Sequence, residues 1–175
     1  MPVAAAPQAA MAIDLPFDSR AFRSALGHFA TGVAIVTASC PGQPPVGMTI
    51  SSFNSVSLDP PLVLFSVART AHSLPDLLAA PGYAIHVLAS DQVDLSSRFA
   101  RALAAKWQDV EHRPGLHDAP LLDAALAHFE CAAHAQHDGG DHVILLARVL
   151  RFSMRPSGDP LIFFGGRYRA LTAAE

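Results

Sequence analysis

The chain has 175 residues, of which 51% are hydrophobic and 15% are charged, and its formal net charge is −3. This length fits one domain with a hydrophobic core of its own. The negative charge and the lack of a Lys/Arg cluster argue against a nucleic-acid-binding protein, and no apolar run reaches the ~20 residues of a membrane helix.

The N-terminal residues 1–16 are rich in Ala and Pro, and they lack the basic region and continuous apolar core of a signal peptide. We predict that they form a flexible tail and that residues 17–175 form one domain. Cys40 and Cys131 are far apart and form no CxxC motif, which argues against a zinc site or a disulfide framework. We therefore expect a cytoplasmic protein, and the apolar surplus favours a subunit interface.

The first predicted elements are a helix and two pairs of strands. DSRAFRSALGHFATG predicts a helix that is capped by Asp18 or Ser19, carries apolar residues at helical spacing and ends at Gly32. GVAIVTAS and VGMTISS predict a β-hairpin around the turn CPGQPP. FNSVSL and LVLFSVA predict two further strands, with Pro60 and Pro61 between them.

The second half of the chain continues with short elements. SLPDLLAA predicts a helix capped by Ser73, YAIHVLA a strand, and DQVDLSSRFARAL a helix capped by Asp91. LAHFECAAHAQ and HVILLARVLRF predict a hairpin around DGGD, and PLIFFGGRYRAL closes the chain. Short strands without regular βαβ alternation predict a closed or nearly closed antiparallel barrel with helices packed outside it.

The sequence lacks the glycine-rich phosphate motifs of Rossmann and P-loop proteins and the GxSxG serine motif. HAQH resembles a metal-binding pair, but the odd spacing of His134 and His137 on a strand points the two side chains to opposite faces. Asp138, Asp141 and His142 extend this cluster across a turn, without the helical spacing that would gather ligands. We therefore expect no metal site.

The stretch GMTISSFNSVSL carries many small hydroxyl side chains. Hydroxyls and backbone N–H groups at a strand end can bind phosphate without a glycine-rich loop. Arg69 follows in VARTAHS, and Ser73 lies at a helix N-terminus, which attracts anions. The candidates for a phosphate or pyrophosphate site are Thr49, Ser51, Ser52, Arg69 and Ser73. Alternatively, Thr favours strands and the serines satisfy turns and sheet edges.

Four segments together resemble one protein family: HFATGVAIVTA, GMTISSFNSVSLDPPLVLFSV, SLPDLL and GGDHVILLARV. In their order and spacing, from about Phe17 to Leu171, the chain is similar to the flavin reductase-like family. Members are short NAD(P)H:flavin oxidoreductases with an FMN-binding split barrel, which is mostly β with flanking helices. Many are the reductase component of two-component flavin-dependent monooxygenases. The resemblance implies FAD or FMN, NADH or NADPH, a homodimer, and a separate monooxygenase that receives reduced flavin.

The resemblance also implies flavin-binding positions. The family segment along the polar edge of the isoalloxazine is matched by Ala30, Thr31, Gly32 and Val33. A glycine there lets the backbone approach a flat ring, although the end of a helix explains Gly32 equally well. The ribityl and phosphate contacts are matched by Thr49, Ser51 and Ser52. Arg69 and Ser73 match positions that hold phosphate or the far end of the cofactor, although Arg69 can equally be a surface charge.

Gly140-Asp141-His142 matches the GDH motif of the family, in which the histidine is associated with the nicotinamide nucleotide. An imidazole there can hydrogen-bond a phosphate or a carboxamide and help to hold the nicotinamide over the flavin. His142 is thus the catalytic candidate. The alternative is that these residues only form a tight turn before the next strand.

The remaining matches lie in two other segments. Arg98 and Lys106 match a basic stretch that reaches the cofactor or the entrance to its pocket, and an exposed helix face explains them nearly as well. Arg167 and Tyr168 resemble the segment that closes over the flavin, although Tyr168 also suits a half-buried interface. Trp107 suits either ring stacking or packing.

The reaction that the resemblance implies is hydride transfer from nicotinamide C4 to flavin N5, in which the cofactors carry the chemistry and the protein orients them. Two alternatives use the same barrel: a non-catalytic flavin-binding protein and an oxidase of the pyridoxamine-phosphate type. The sequence chooses neither between FAD and FMN nor between NADH and NADPH.

Overall fold

The computed structural model describes residues 17–103 and 105–171; the predicted tail, residues 1–16, lies outside these ranges. Its helices are α1 (Ser19–Leu26), α2 (Leu74–Ala79) and α3 (Val93–Phe99), so the three predicted helices are confirmed. Asp18 caps α1, because its carboxylate accepts from the backbone N–H groups of Arg20 and Ala21 at 2.9 and 3.1 Å. None of the described helices is long and apolar enough to cross a membrane.

Twelve strands occur in the described part of the chain, and all their pairings are antiparallel. They are β1 (Thr31–Gly32), β2 (Ala34–Ala38), β3 (Val46–Ile50), β4 (Asn54–Leu58), β5 (Pro61–Ala68), β6 (Gly82–Val87), β7 (His112–Pro114), β8 (Pro120–Leu122), β9 (Ala127–Gly139), β10 (His142–Met154), β11 (Ile162–Phe164) and β12 (Arg167–Arg169). The predicted strands and hairpins are present, and the fold is mostly β with flanking helices.

Two sequence-based boundaries are wrong. Gly32 does not end the first helix: α1 ends at Leu26 with Gly27 as its C-cap, and Gly32 lies in β1. Asp91 does not cap α3, whose N-cap is the next residue, Gln92. In the stretch after α3, the structure adds β7, β8 and a short 3₁₀ turn that the sequence patterns did not indicate.

The main sheet is curved into a barrel. Its strand order is β3-β2-β6-β9-β10-β5-β4, so β3 and β4 form the two edges although they follow each other in the chain. In a flat sheet, six spacings of ~4.8 Å would hold these edges about 29 Å apart. The chain from Ile50 to Asn54 spans at most about 14 Å. The sheet must therefore curl until its edges approach, which leaves a split between β3 and β4.

Ser52 lies in this split and completes the sheet there. The β4–β5 ladder begins with Asn54 opposite Leu64, and Ser52 continues the same register two residues earlier. Its hydroxyl donates to the carbonyl of Ser66 at 3.0 Å and accepts from the backbone N–H of Ser66 at 2.9 Å. This hydroxyl therefore satisfies a sheet edge, as the structural interpretation of the serine-rich stretch expected.

The core lies inside the barrel, and a second apolar layer lies outside it. All five residues of β2 are buried: Val36 belongs to the interior cluster, whereas Ile35 faces a cluster beneath α3 that includes Phe99. Inside, the rings of Phe65 and Tyr83 meet edge to face with centroids 5.2 Å apart. Because both faces are covered, β2 is buried throughout rather than alternating, and its one polar side chain, Thr37, donates to the carbonyl of Pro120.

Candidate functional site

The strand pairings bring two of the predicted groups together on β5. The hydroxyl of Ser52 is bonded to Ser66 of β5, and two residues further along β5, about 7 Å, Ala68 pairs with His142. The ATGV segment immediately precedes β2, whose first residue, Ala34, pairs with Ile50 at the end of β3. The serine-rich stretch therefore lies near the GDH motif, and it follows the strand that pairs with the continuation of the ATGV segment.

The ATGV segment forms one side of this region. Thr31 pairs with Phe163 of β11, which pairs with Tyr168 of β12, so these three residues form a row across a three-stranded sheet. Among the described residues, no atom lies within 4 Å of a Cβ built on Gly32, and the buried hydroxyl of Thr31 has no hydrogen-bond partner. The open side of Gly32 suits the approach of a flat ring, whereas the side chain of Thr31, the preceding residue of β1, points to the other face of the strand.

A cleft of about 660 Å³ adjoins the outer end of β3. Three predicted residues line it, namely Thr49, Ser73 and Lys106, together with Arg101. The ammonium of Lys106 donates to the carbonyl of Gly47 at 3.2 Å, and partial burial lowers the pKa of Lys106 below its ordinary value. The hydroxyl of Ser73 and the two basic side chains suit an anionic group, because it would offset the cost of desolvating the amine. Thr49 does not donate to such a group, because its hydroxyl proton is donated to the carbonyl of Ser96.

Aromatic side chains form one wall of this cleft. Phe99 and Trp107 pack edge to face with ring centroids 4.9 Å apart, and both line the cleft. A Cβ on Gly47 would lie 2.6 Å from Phe99 Cδ1 and 2.9 Å from Trp107 Cζ2, so only glycine lets the rings close over this strand. Trp107 has a packing role, which was one of its two predicted interpretations, and it also presents a surface to the cleft.

The GDH motif lies at the tip of the β9–β10 hairpin. Its turn is formed by Gly140, whose φ of +75° is in the region that favours glycine. Nδ1 of His142 donates to the Asp141 carboxylate at 2.7 Å, because an ionised carboxylate only accepts. This hydrogen bond lowers the pKa of Asp141 and, in the neutral imidazole, leaves Nε2 as the acceptor atom.

Arg69 is held against this tip rather than in the cleft. Its Nε donates to the carbonyl of Gly140 at 2.8 Å, and its guanidinium pairs with Asp138 at 2.5 Å. The backbone N–H of Arg69 also donates to the carbonyl of Asp141 at 2.8 Å. Arg69 is therefore bonded to the hairpin that carries the GDH motif and does not line the cleft, unlike Thr49 and Ser73, with which the sequence grouped it.

The other predicted residues have separate positions. Ser51 is exposed at the end of β3. Arg98 donates to the carbonyl of Gln108 at 2.8 Å and borders a second groove that contains Asp94 and Asp109. Arg167 is exposed in β12. Within the described ranges, no three His, Cys, Asp or Glu side chains are placed to hold a metal ion.

Sequence analysis gave no role to Ser96, which the structure places between the candidate groups. It is fully buried in α3 and hydrogen-bonds both Thr49 and Tyr168. A serine among charged and apolar residues of an amphipathic helix carries no distinctive sequence signal. The only indication was its position in the helix that also bears Phe99.

Comparison with known proteins identifies the family. Residues 26–172 match the model of the flavin reductase like domain. The chain is 48% identical over 151 residues to the FMN reductase (NADH) SmoA of Agrobacterium fabrum. The aligned residues make up 86% of this chain and 85% of that protein. This chain is 35% identical over 156 residues to the flavin-dependent monooxygenase reductase subunit HsaB of Mycobacterium tuberculosis, with 88% and 83% covered. Two longer relatives from Rhizobium meliloti are spanned over 59% and 44% of their length.

Solved structures agree with this assignment. The NADH:FAD oxidoreductase SgcE6 of Streptomyces globisporus, in complex with NAD and FAD fragments, superposes with a TM-score of 0.83 at 39% identity, covering 88% of this chain and 93% of that one. The chain therefore belongs to the flavin reductase-like domain family, and its curved sheet is the split barrel of that family. The family and fold expected from the sequence are confirmed, and the names of the relatives match the expected class, NAD(P)H:flavin oxidoreductases.

Proposed function

We propose that the protein is an NAD(P)H-dependent flavin reductase that supplies reduced FAD or FMN to a separate flavin-dependent monooxygenase. The observation that carries this proposal is the pairing along β5, where Ser52 is bonded to Ser66 and His142 pairs with Ala68 only two residues away. The segments that the resemblance assigns to the flavin and to the nicotinamide nucleotide are then neighbours, and a cleft with two basic side chains adjoins β3.

Gly32, whose open side carries no side chain, would let the flavin ring approach the strand. Ser51 and Ser52 would hold the ribityl chain, and Lys106 with the hydroxyl of Ser73 would bind the phosphate end at the cleft. Of the other sequence-predicted positions, Ala30, Val33, Thr49 and Tyr168 would support this site, whereas Arg98 borders the second groove and Arg167 is exposed in β12.

When bound, the two cofactors supply the redox chemistry, a hydride transfer from nicotinamide C4 to flavin N5. The chain's own residues bind and orient. Asp141 holds the imidazole of His142 in one tautomer, and Nε2 then accepts a hydrogen bond from the carboxamide of the nicotinamide. Arg69 positions the hairpin tip that carries both residues. Such orientation converts an encounter of two cofactors into a near-attack geometry.

The test is a spectrophotometric assay of the purified full chain. NADH or NADPH is mixed with the protein, with and without added FAD or FMN, and the absorbance of the reduced nicotinamide is followed. Turnover that requires free flavin supports the proposal. A permanently yellow protein that does not oxidise NAD(P)H would instead be the non-catalytic flavin-binding protein, and oxidation of pyridoxamine phosphate would indicate the oxidase.

The proposed destination of the reduced flavin is a second protein. The relative HsaB is named as the reductase subunit of a flavin-dependent monooxygenase, which supports a separate oxygenase partner. We place this activity in the cytoplasm, since both cysteines, Cys40 and Cys131, are free thiols and a reducing compartment keeps thiols in that state.

We further propose that the protein is a homodimer. The distal part of β10 exposes three alternating apolar side chains, Leu150, Phe152 and Met154, of which Phe152 is 63% exposed. β5 pairs with β10 only as far as Arg148. The three apolar side chains therefore lie on the part of β10 that extends past the end of β5. Such a face is typical of a subunit interface.

Sedimentation of the wild-type chain should give twice the monomer mass, and Phe152→Asp should give the monomer. The exposed residue His137 provides the matched control, because His137→Asp adds a charge nearer the hairpin tip and should remain dimeric. A monomeric wild type would contradict the homodimer, and a dimeric Phe152→Asp variant would exclude this face as its interface.

A further inference from the structure

The short helix α1 has an orientation that hydrophobic packing does not explain. None of its residues is buried, and its large apolar side chains, Phe22 and Leu26, are 49% and 58% exposed. The helix meets the rest of the chain at its C-cap, Gly27, whose carbonyl accepts from the N–H of Gly165 at 2.9 Å. A Cβ built on Gly27 would lie 3.9 Å from the Cα of Gly165. The side of Gly27 is therefore the side of α1 that faces the chain.

Arg23 lies on this same side of the helix. Residues four apart in a helix are neighbours on one face, so Arg23 follows the face of Gly27 one turn nearer the N-terminus. Phe22 is five residues from Gly27, which is about 140° around the helix axis. The helix thus turns a basic side chain toward the chain and its apolar side chains outward, the reverse of what burial in a core would favour.

The part of the chain that Arg23 faces includes the GDH motif. The hydrogen bond from His142 is the main cause that lowers the pKa of Asp141, and the charge of Arg23 acts in the same direction. Charges that are exposed to solvent are largely screened from each other beyond about 10 Å. The guanidinium of Arg23 is therefore close to the tip of the β9–β10 hairpin.

Arg23 is available to bind an anion at this tip, whereas Arg69 is already engaged by Asp138 and Gly140. Arg23 is exposed and belongs to no ion pair within residues 17–103 and 105–171. A dinucleotide at the tip brings two negative phosphates toward the carboxylate of Asp141, which repels them. A guanidinium beside that carboxylate offsets the repulsion and can hold a phosphate through two parallel hydrogen bonds.

We propose that Arg23 binds the pyrophosphate of NADH or NADPH while His142 binds the nicotinamide. The inward face of α1 is then one wall of the nucleotide site, and the tip of the β9–β10 hairpin is the other. This inference rests on the proposed function and adds to it a residue for which the resemblance implied no contact. Because the pyrophosphate is common to both nucleotides, Arg23 serves both.

The experiment measures steady-state kinetics of Arg23→Gln in the full chain with saturating flavin. The electron donors are NADH, NADPH and reduced nicotinamide riboside, which carries no phosphate. Loss of one charge-assisted contact should raise KM for NADH and for NADPH about ten-fold, and KM for flavin should change little. The wild type and the variant should oxidise the riboside alike, since it has no pyrophosphate for Arg23 to bind. Arg23→Lys keeps the charge without the planar fork and should lie between them.

Arg148→Gln is the matched control. Arg148 is also exposed and belongs to no ion pair among the described residues, but it lies six residues along β10 from His142, about 20 Å. The control removes the same charge away from the tip, so KM for NADH should keep its wild-type value. Because α1 buries no side chain, Arg23→Gln should retain the wild-type thermal midpoint.

Three results would overturn the role of Arg23: wild-type KM values for both nucleotides in Arg23→Gln, an equal loss with the riboside, or an effect confined to NADPH, which would place Arg23 at the 2′-phosphate. If the riboside reacts too slowly to measure, ADP-ribose replaces it as a competitive inhibitor. Its inhibition constant should rise together with KM for NADH, and an unchanged constant would overturn the inference.

Failure of the wild-type protein to oxidise NAD(P)H in the presence of flavin counts instead against the proposed function. The two failures are distinguishable, because one is read from the variants and the other from the wild type.

Discussion

At the scale of single residues, positions 47 and 32 are both glycine, but for different physical reasons. Gly47 is enclosed, because an added Cβ would lie 2.6 Å from Phe99 and 2.9 Å from Trp107. Gly32 is open, with no described atom within 4 Å of an added Cβ, and its φ does not require glycine. Packing within the chain therefore explains Gly47 but not Gly32, for which the proposed flavin ring supplies a reason.

This difference gives a prediction from a pair of variants. Gly47→Ala should destabilise the protein by about 1–3 kcal/mol, because the rings of the cleft wall must move. Gly32→Ala should leave the free energy of unfolding nearly unchanged and weaken flavin binding, because the methyl group takes space that the ring needs. Urea unfolding and flavin fluorescence titration measure the two effects. Unchanged flavin affinity in Gly32→Ala would show that no ring lies over this strand.

His142 gives the second prediction at this scale. His142→Ala should raise KM for NAD(P)H more than it weakens flavin binding, because its imidazole faces the nicotinamide in the proposed site. Asp141→Ala keeps the imidazole but removes the carboxylate that holds it at 2.7 Å, so its effect should have the same direction and be smaller. Steady-state kinetics with each cofactor varied in turn provides the measurement. An equal loss for both cofactors would contradict this role.

At the scale of elements, the GDH motif lies at the tip of the β9–β10 hairpin, which is formed by two 13-residue strands. The end of β5 supports this tip through Arg69, which bonds Gly140 and pairs with Asp138. The pair is solvent-exposed, with side-chain exposures of 50% and 79%, and exposed ion pairs contribute little to stability. Its role is therefore local, in the orientation of the turn.

Arg69→Ala should accordingly leave the urea midpoint almost unchanged and raise KM for NAD(P)H several-fold. Asp138→Asn is the matched comparison, because it removes the charge of the partner but keeps the bond from Arg69 to the carbonyl of Gly140. We expect it to have the smaller effect. A rise in KM for flavin alone would place Arg69 at the flavin phosphate, as the sequence suggested.

At the scale of the whole molecule, stability depends on a histidine at the centre of the fold. His86 is fully buried; its Nδ1 donates to the carbonyl of Ile35 and its Nε2 accepts from the N–H of Leu122, each at 3.1 Å. This arrangement requires the neutral ring. Burial is the main cause that lowers the pKa of His86 from 6.5 to about 4.

The sign of the pH dependence follows from proton uptake. Between pH 6.5 and 4 the unfolded chain protonates this histidine and the folded protein does not, so the free energy of unfolding falls as the pH decreases through this window. The loss from this residue reaches about 3 kcal/mol at most. His86→Gln, which keeps a donor and an acceptor, should show a shallower pH dependence in urea unfolding. His137→Gln, a change at an exposed histidine, should retain the wild-type slope, and identical slopes in all three proteins would contradict this account.

The sequence by itself determined the three helices, the hairpins and the antiparallel class, because apolar periodicity, caps and turn residues are local signals. It also indicated the family, through segments whose order and spacing are family-specific. Gly32 was misassigned as a helix end. The sequence does not show the space around a glycine, so a glycine in a strand cannot be told from one that follows a helix.

Only the tertiary structure decided which predicted residues share a site. Arg69 and Ser73 are four positions apart in the chain, yet one bonds the hairpin tip and the other lines the cleft. The edge strands β3 and β4 approach each other beside Ser52 only because the whole seven-stranded sheet curls. Such contacts depend on strand register and curvature, which arise from pairings distant in sequence and leave no local pattern.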